Sequence, residues 1–187
     1  MLKRIFDITI SASLLLLLTP LLGIIGILIK ITSKGPCIFW TKRIGINNQI
    51  FLMPKFRSMF VDTPEVATHL LKNSNAYITS VGGFLRTTSL DELPQLWSIL
   101  TGDMSFVGPR PALYNQDDLI KMRTDAGVHT LTPGLTGWAQ VNGRDEIPLE
   151  KKVSFDQEYR DKKSFWFDLQ ILFITFKNVI YKKNISH

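Results

Sequence analysis

From residue 8 to residue 29 the chain carries no charged side chain, and most of these 22 positions are leucine or isoleucine. As one straight helix the run would be about 33 Å long, enough to cross the hydrocarbon core of a bilayer. A cleaved signal peptide fits poorly, because the run is long, basic residues follow it, and no small-x-small site ends it. Two features compete with a single spanning anchor. Thr19-Pro20 falls in the middle of the run, where proline removes a backbone hydrogen bond and bends a helix, and where Thr19 could bond back to a carbonyl. Both flanks are basic, with Lys3 and Arg4 before the run and Lys30, Lys34, Lys42 and Arg43 after it. The positive-inside rule then places both ends on the cytoplasmic face. A helix-break-helix that enters and leaves one leaflet accounts for both features, provided the backbone groups freed at the break find partners. Read from these residues alone, a spanning and a re-entrant helix both stay open.

The rest of the chain is of a different kind. Of the formal net charge of +6, Lys3, Arg4 and Asp7 leave +1 on the first 29 residues and +5 on the remainder. Dense charge after residue 30 excludes a polytopic bundle, and 45% hydrophobic residues exclude a disordered chain. A basic body favours an anionic partner such as a nucleotide, a phosphate or a lipid headgroup. No basic stripe interleaves with aromatics, so a nucleic-acid partner is not expected. Cys37 is the only cysteine, and His69, His129 and His187 are scattered, so neither a disulfide within the chain nor a cysteine zinc cluster can form.

Short strands are expected at residues 38–40 and 49–53, around the turn Gly45-Ile46-Asn47-Asn48. Residues 61–76 read as a short helix or loop. Helices are expected over residues 89–100, where Leu90, Leu93, Leu96, Trp97 and Leu100 share one face, and over 115–122, 149–162 and 165–181. The last of these, with Phe165, Trp166, Phe167, Phe173, Phe176 and Tyr181, suits either a core or a membrane interface. Residues 131–144, rich in Gly and Pro, read as loop or short strand. The expected fold is α+β and mostly helical: a membrane helix-break-helix over residues 1–30, then a compact domain over residues 31–187 with a small β element and interfacial amphipathic helices.

Thr87-Thr88-Ser89-Leu90-Asp91-Glu92-Leu93-Pro94-Gln95-Leu96 carries the most chemistry. Ser89 and Glu92 fit a capping box, although Pro94 is awkward in that frame and prefers Asp91 as the cap. Either frame puts Asp91 and Glu92 in the first turn of a helix, where ionised forms are favoured. Their side chains diverge by about 100°, so they can flank one cation or one phosphorus but cannot pair. Acidic first turns are common, and from this segment alone ordinary helix capping is the commoner explanation of such a pair. Three arginine turns surround it in the sequence: Gly82-Gly83-Phe84-Leu85-Arg86, Gly108-Pro109-Arg110-Pro111 and Asn142-Gly143-Arg144. Arginine offers a bidentate fork to phosphate, and glycine lets backbone N–H groups approach it. Each arginine taken singly reads as a surface ion pair; together with the carboxylate pair they are expected to form a diphosphate site, in which the two carboxylates would hold Mg²⁺.

Lys3-Arg4-Ile5-Phe6-Asp7, Lys55-Phe56-Arg57-Ser58-Met59, Ser89-Leu90-Asp91-Glu92-Leu93-Pro94-Gln95, the segment from Gly102 to Pro111 and the segment from Pro133 to Arg144 occur in that order. In this the chain resembles the bacterial sugar transferase family, and within it the small monotopic phosphoglycosyl transferases. The resemblance implies transfer of a phosphosugar from a UDP-sugar to undecaprenyl phosphate with release of UMP, the first membrane step of bacterial glycan assembly. It implies that Asp91 is the nucleophile of a covalent phosphosugar intermediate and that Glu92 helps to hold Mg²⁺. It implies that Arg86, Arg110 with the adjoining Pro111, Arg144 and Asp168 serve substrate binding. It also implies that Thr19-Pro20 marks a re-entrant helix at the bacterial inner membrane, with the catalytic domain facing the cytoplasm. A homodimer and downstream glycosyltransferases are the further partners it leaves room for. Threonine stands before Pro20 where relatives usually carry serine, and Ser98 stands where they usually carry asparagine.

Overall fold

The computed structural model describes residues 1–64, 74–143 and 147–181. Its first element is a single long helix, α1 (Leu2–Thr32). Asp7, Ser11, Ile25 and Ile29 are buried, and Leu14, Leu15, Leu18 and Leu22 pack against the body between them. The steps of three and four place these residues on one face. Leu16, Leu17, Ile24, Ile27 and Ile31 stay exposed on the rest of its surface. Length and hydropathy make α1 long and apolar enough to cross a membrane.

The interruption expected at Thr19-Pro20 is absent, since the helix runs on through Pro20. Proline forfeits one bond of the ladder, and the Thr19 hydroxyl donates to the Leu15 carbonyl at 2.7 Å. The packed face continues on both sides, through Leu15 and Leu18 and then Leu22 and Ile25. Side-chain packing on both sides of one missing bond is enough to hold the helix together.

The body follows. The strands β1 (Ile38–Ile44) and β2 (Ile50–Phe56) form an antiparallel hairpin with Thr41 opposite Met53. Both strands run longer than the sequence suggests, because pairing extends them beyond their apolar residues. Residues 65–73, within the expected short helix or loop, lie outside the described residues. A short helix, α2 (Gly82–Thr87), leads to a single 3₁₀ turn, Leu90–Glu92, and then to α3 (Gln95–Thr101). The helix expected over 89–100 therefore starts later. Pro94 caps it, and proline is tolerated at a helix start but not inside one.

Next come β3 (Ser105–Val107), α4 (Asp117–Asp125), β4 (Gly134–Thr136) and the one-turn α5 (Trp138–Val141). The Gly/Pro-rich stretch thus supplies a strand that pairs in parallel with β3. Two long helices complete the body, α6 (Leu149–Lys162) and α7 (Phe165–Ile180). Ser164 caps α7 by accepting from the Phe167 amide. The main core gathers Ile99, Met104, Val107, Val128 and Ile171 between α3, β3 and α7. The fold is mostly helical with two small sheets. On α7, Trp166, Phe173 and Phe176 are exposed, as is Tyr181 just after it.

Candidate active site

The acidic turn is built by strained backbone. Ser89 ends α2 in the left-handed region, at φ 57° and ψ 17°, and makes no side-chain cap. That conformation is uncommon for a residue with a side chain, and it reverses the chain into the 3₁₀ turn. The expected capping box does not form, because Ser89 is left-handed rather than extended. Behind the turn, α2 sits hard against the segment after β2. A Cβ on Gly82 would stand 1.9 Å from the Ser58 carbonyl oxygen, so only glycine permits this approach, which brings Arg86 beside Asp91.

Glu92 is the hub. Its Oε1 accepts from Lys55 Nζ on β2 at 2.8 Å and from Arg110 Nη2 at 2.8 Å. Burial works to raise its carboxyl, but the charges and hydrogen bonds of Arg110 and Lys55 overcome this and hold it well below the usual range. Asp91 is 8% exposed, with the charges of Lys55, Arg86 and Arg110 close to its carboxylate. Burial pushes it up, against the charges of Lys55, Arg86 and Arg110, while Glu92 adds to the rise. The lowering expected of a helix terminus is thus found at Glu92, where Arg110 and Lys55 cause it, and not at Asp91, where the shift is upward. A one-turn 3₁₀ helix offers little dipole, and burial outweighs it.

The loop carrying Arg110 is anchored from behind. Arg123 on α4 donates to the Arg110 carbonyl at 2.7 Å, and Arg43 on β1 donates to the Pro111 carbonyl at 3.1 Å. The glycines around it do not cradle an anion. The Gly108 amide is bonded to Thr136 and the Gly134 amide to Pro109, each at 2.9 Å. A Cβ on Gly108 would stand 2.3 Å from the Thr132 carbonyl oxygen, and one on Gly134 would stand 2.1 Å from the Gly108 nitrogen. These glycines bring two backbones together, which corrects the phosphate-cradle expectation: their N–H groups are already spent.

The structure thus brings Asp91, Glu92, Arg86 and Arg110 together, with Pro111 on the same loop. Arg86 also approaches Met59 Sδ at 3.5 Å. Asp168 belongs to a different cluster. It accepts from Lys3 Nζ at 2.7 Å and from the Tyr159 hydroxyl at 2.6 Å, and so ties the start of α1 to α7. Burial and the neighbouring Asp168 push the Tyr159 phenol up, which keeps it a donor. Thr19 and Pro20 lie on α1, and Arg144 falls outside the described residues. Lys55 is the site residue that the sequence reading did not single out. Its alternation with Met53 on one strand face was the available signal.

Asp91 and Glu92 are the carboxylates at hand for a metal. Among the described residues no group of three or more His, Cys, Asp or Glu gathers. Mg²⁺ takes one or two carboxylates together with substrate phosphates and water. Lys55 and Arg110 hold Glu92, and the adjoining carboxylate of Asp91 is an oxygen donor of the kind Mg²⁺ takes, so the residues fit it.

Comparison with known proteins shows the family. The family model for bacterial sugar transferase matches residues 1–182. The chain is 42% identical, over 97% of its length, to the UDP-glucose:undecaprenyl-phosphate glucose-1-phosphate transferase of Escherichia coli K12, and covers 41% of that protein. It is 40% identical to the undecaprenyl-phosphate glucose phosphotransferase of Komagataeibacter xylinus, over 97% of this chain and 36% of that one. It therefore spans about two-fifths of the length of these curated relatives. It is 37% identical to the sugar transferase EpsL of Bacillus subtilis, over 99% of this chain and 90% of that one. Matched along nearly its whole length, the chain belongs to the bacterial sugar transferase family.

Proposed function

We propose that the chain transfers a sugar phosphate from a UDP-sugar to undecaprenyl phosphate, giving UMP and the undecaprenyl-diphosphate sugar. One observation carries the reading: a buried carboxylate, Asp91, stands among the charges of Lys55, Arg86 and Arg110. The names of two relatives supply both substrates, the sugar nucleotide and the lipid phosphate.

In the first step an Asp91 carboxylate oxygen bonds to the sugar-bearing phosphorus. The bond from that phosphorus to UMP breaks, and its electron pair leaves on UMP. In the second step an oxygen of the lipid phosphate attacks the same phosphorus, and the Asp91 oxygen departs as carboxylate. A covalent intermediate divides one hard displacement into two and lets two unlike substrates use one site in turn. Burial raises the basicity of Asp91, which favours attack. Arg110 and Arg86 meet the charge that builds on the phosphoryl oxygens. Lys55 and Arg110 hold Glu92 fixed, and Glu92 with Asp91 would hold Mg²⁺. When bound, Mg²⁺ would neutralise the diphosphate and the departing UMP.

The bilayer is the natural setting for the second substrate. Both ends of α1 are tied to the same charged body. Lys3 pairs with Asp168 and Arg4 donates to the Ile99 carbonyl at one end, and Arg57 donates to the Ser33 and Lys34 carbonyls at the other. A spanning path would drag part of that polar body into hydrocarbon, which supports both ends of α1 staying on one side, the cytoplasmic face of the inner membrane. Two further features of this reading are a homodimer and association with downstream glycosyltransferases.

The test is UMP release by the full chain in detergent with undecaprenyl phosphate and a panel of UDP-sugars. Asp91→Asn is expected to abolish release. Intact-mass analysis without the lipid should show wild type, and not Asp91→Asn, carrying a sugar phosphate. Turnover that survives in Asp91→Asn removes Asp91 as the nucleophile.

A further inference from the structure

Arg110 can meet Glu92 and a phosphate only if its main chain is held in place. On its far side the loop borders a cavity of about 30 Å³ lined by Pro109, Pro111, Arg123 and His129. Hydrogen bonds from neighbouring elements add to the packing of the buried Pro109, Pro111 and Ala112 in fixing it. Arg123 makes the shortest of these, Nη1 to the Arg110 carbonyl at 2.7 Å. Its other donors, Nε and Nη2, both reach one oxygen of Asp156 on α6, at 2.9 and 2.7 Å. Arg123 is 8% exposed and Asp156 1%.

An ion pair buried this deeply is a poor source of stability. Desolvation consumes most of the Coulombic gain, and well-packed apolar residues would hold α4 to α6 as well. What an apolar pair cannot supply is a donor aimed at the Arg110 carbonyl. Only the planar guanidinium fork reaches Asp156 and that carbonyl at once.

We propose that Arg123, braced by Asp156, is a positioning residue for the transfer reaction: through the Arg110 main chain it sets where the Arg110 guanidinium meets the substrate phosphates. This rests on the reading that Arg110 binds those phosphates. Arg123 touches neither substrate nor the reacting atoms. Lysine at this position keeps the charge for Asp156 and loses the second contact.

The experiment is a double-mutant cycle of Arg123→Lys with Arg110→Ala, read as kcat/KM for UMP release by the full chain with whichever of UDP-glucose and UDP-galactose it turns over faster. Arg123→Lys alone should lose about ten- to a hundred-fold, the effect of misplacing a binding group by up to an ångström. In the Arg110→Ala background it should lose nothing more, because its effect passes through Arg110. Equal losses in both backgrounds, or no loss from Arg123→Lys alone, overturn the proposal and leave the reading of Arg110 standing. Wild-type kcat/KM in Arg110→Ala overturns that reading instead, and the proposal with it. If Arg110→Ala has no turnover, the same cycle is read on UDP affinity by calorimetry. If Arg123→Lys melts below the assay temperature, Arg123→Met/Asp156→Leu takes its place in the cycle.

Discussion

Gly134→Ala separates two meanings of the same glycine-rich sequence. If Gly134 exists to expose its amide to a phosphate, alanine should damage binding and spare the fold. In the structure its amide is bonded to the Pro109 carbonyl, and a Cβ would lie 2.1 Å from the Gly108 nitrogen and 2.4 Å from the Thr136 carbonyl oxygen. Both obstacles are backbone, so no side chain can swing aside. Overpacking of this kind costs about 1–3 kcal/mol. Separating the strands also weakens two hydrogen bonds, Gly134 to Pro109 and Gly108 to Thr136, at about 0.5–1.5 kcal/mol each. The sum centres on about 4 kcal/mol, a fall of about 8–16 °C in Tm for a chain of this size. Gly23→Ala is the control, since it lies inside α1 with nothing within 4 Å of the added Cβ, and alanine there should be neutral or stabilising by up to about 1 kcal/mol. The assay is thermal unfolding in detergent, followed by circular dichroism, with UDP affinity measured alongside. A Gly134→Ala protein that melts with wild type yet no longer binds UDP would refute the steric argument.

Three further outcomes follow from the site. The Glu92 carboxyl lies well below its unfolded value of 4.5, so its stabilisation is complete above that value and is lost as pH falls through the folded one; wild type should lose Tm below about pH 4.5 more steeply than Glu92→Gln, and parallel curves would contradict the ion-pair account. Asp91 is raised above 3.8, so its folded form is favoured below that value and loses stability as pH rises through the folded one; Asp91→Asn should therefore melt higher than wild type at pH 7 while releasing no UMP, and a lower Tm would contradict the burial argument. Asp7, 3% exposed, accepts from the Phe106 amide at 3.2 Å; Asp7→Leu strands that donor at about 1–3 kcal/mol, Asp7→Asn keeps an acceptor, and an equal loss of Tm in both variants would rule out the hydrogen bond as the reason.

Much of the local structure was legible in the sequence, because it depends on neighbours. The apolar helix of α1, though not the face of it that packs, follows from its uncharged run, and apolar spacing gives the limits of α6 and most of α7. The approach of Asp91, Glu92 and Arg110 was expected from residue types alone, and Pro94 already argued against a helix that began at Ser89. Side-chain pattern says nothing, however, of a left-handed serine, and a continuous α1 was hidden by the proline rule. That rule counts the lost bond and not the packing on either side of it.

What the sequence by itself determined is therefore an apolar helix joined to a basic, mostly helical body, with a carboxylate pair among arginines. Tertiary structure alone decided which charges meet: Lys55 with Glu92 across 37 positions, Arg123 with Asp156 across 33, and Lys3 with Asp168 across 165. It also decided what the glycines are for, since an amide's partner depends on which strand arrives beside it. Spacing along the chain fixes what lies one helical turn or one strand step away. Contacts over longer separations depend on the path of the whole backbone, which the packing of the core selects.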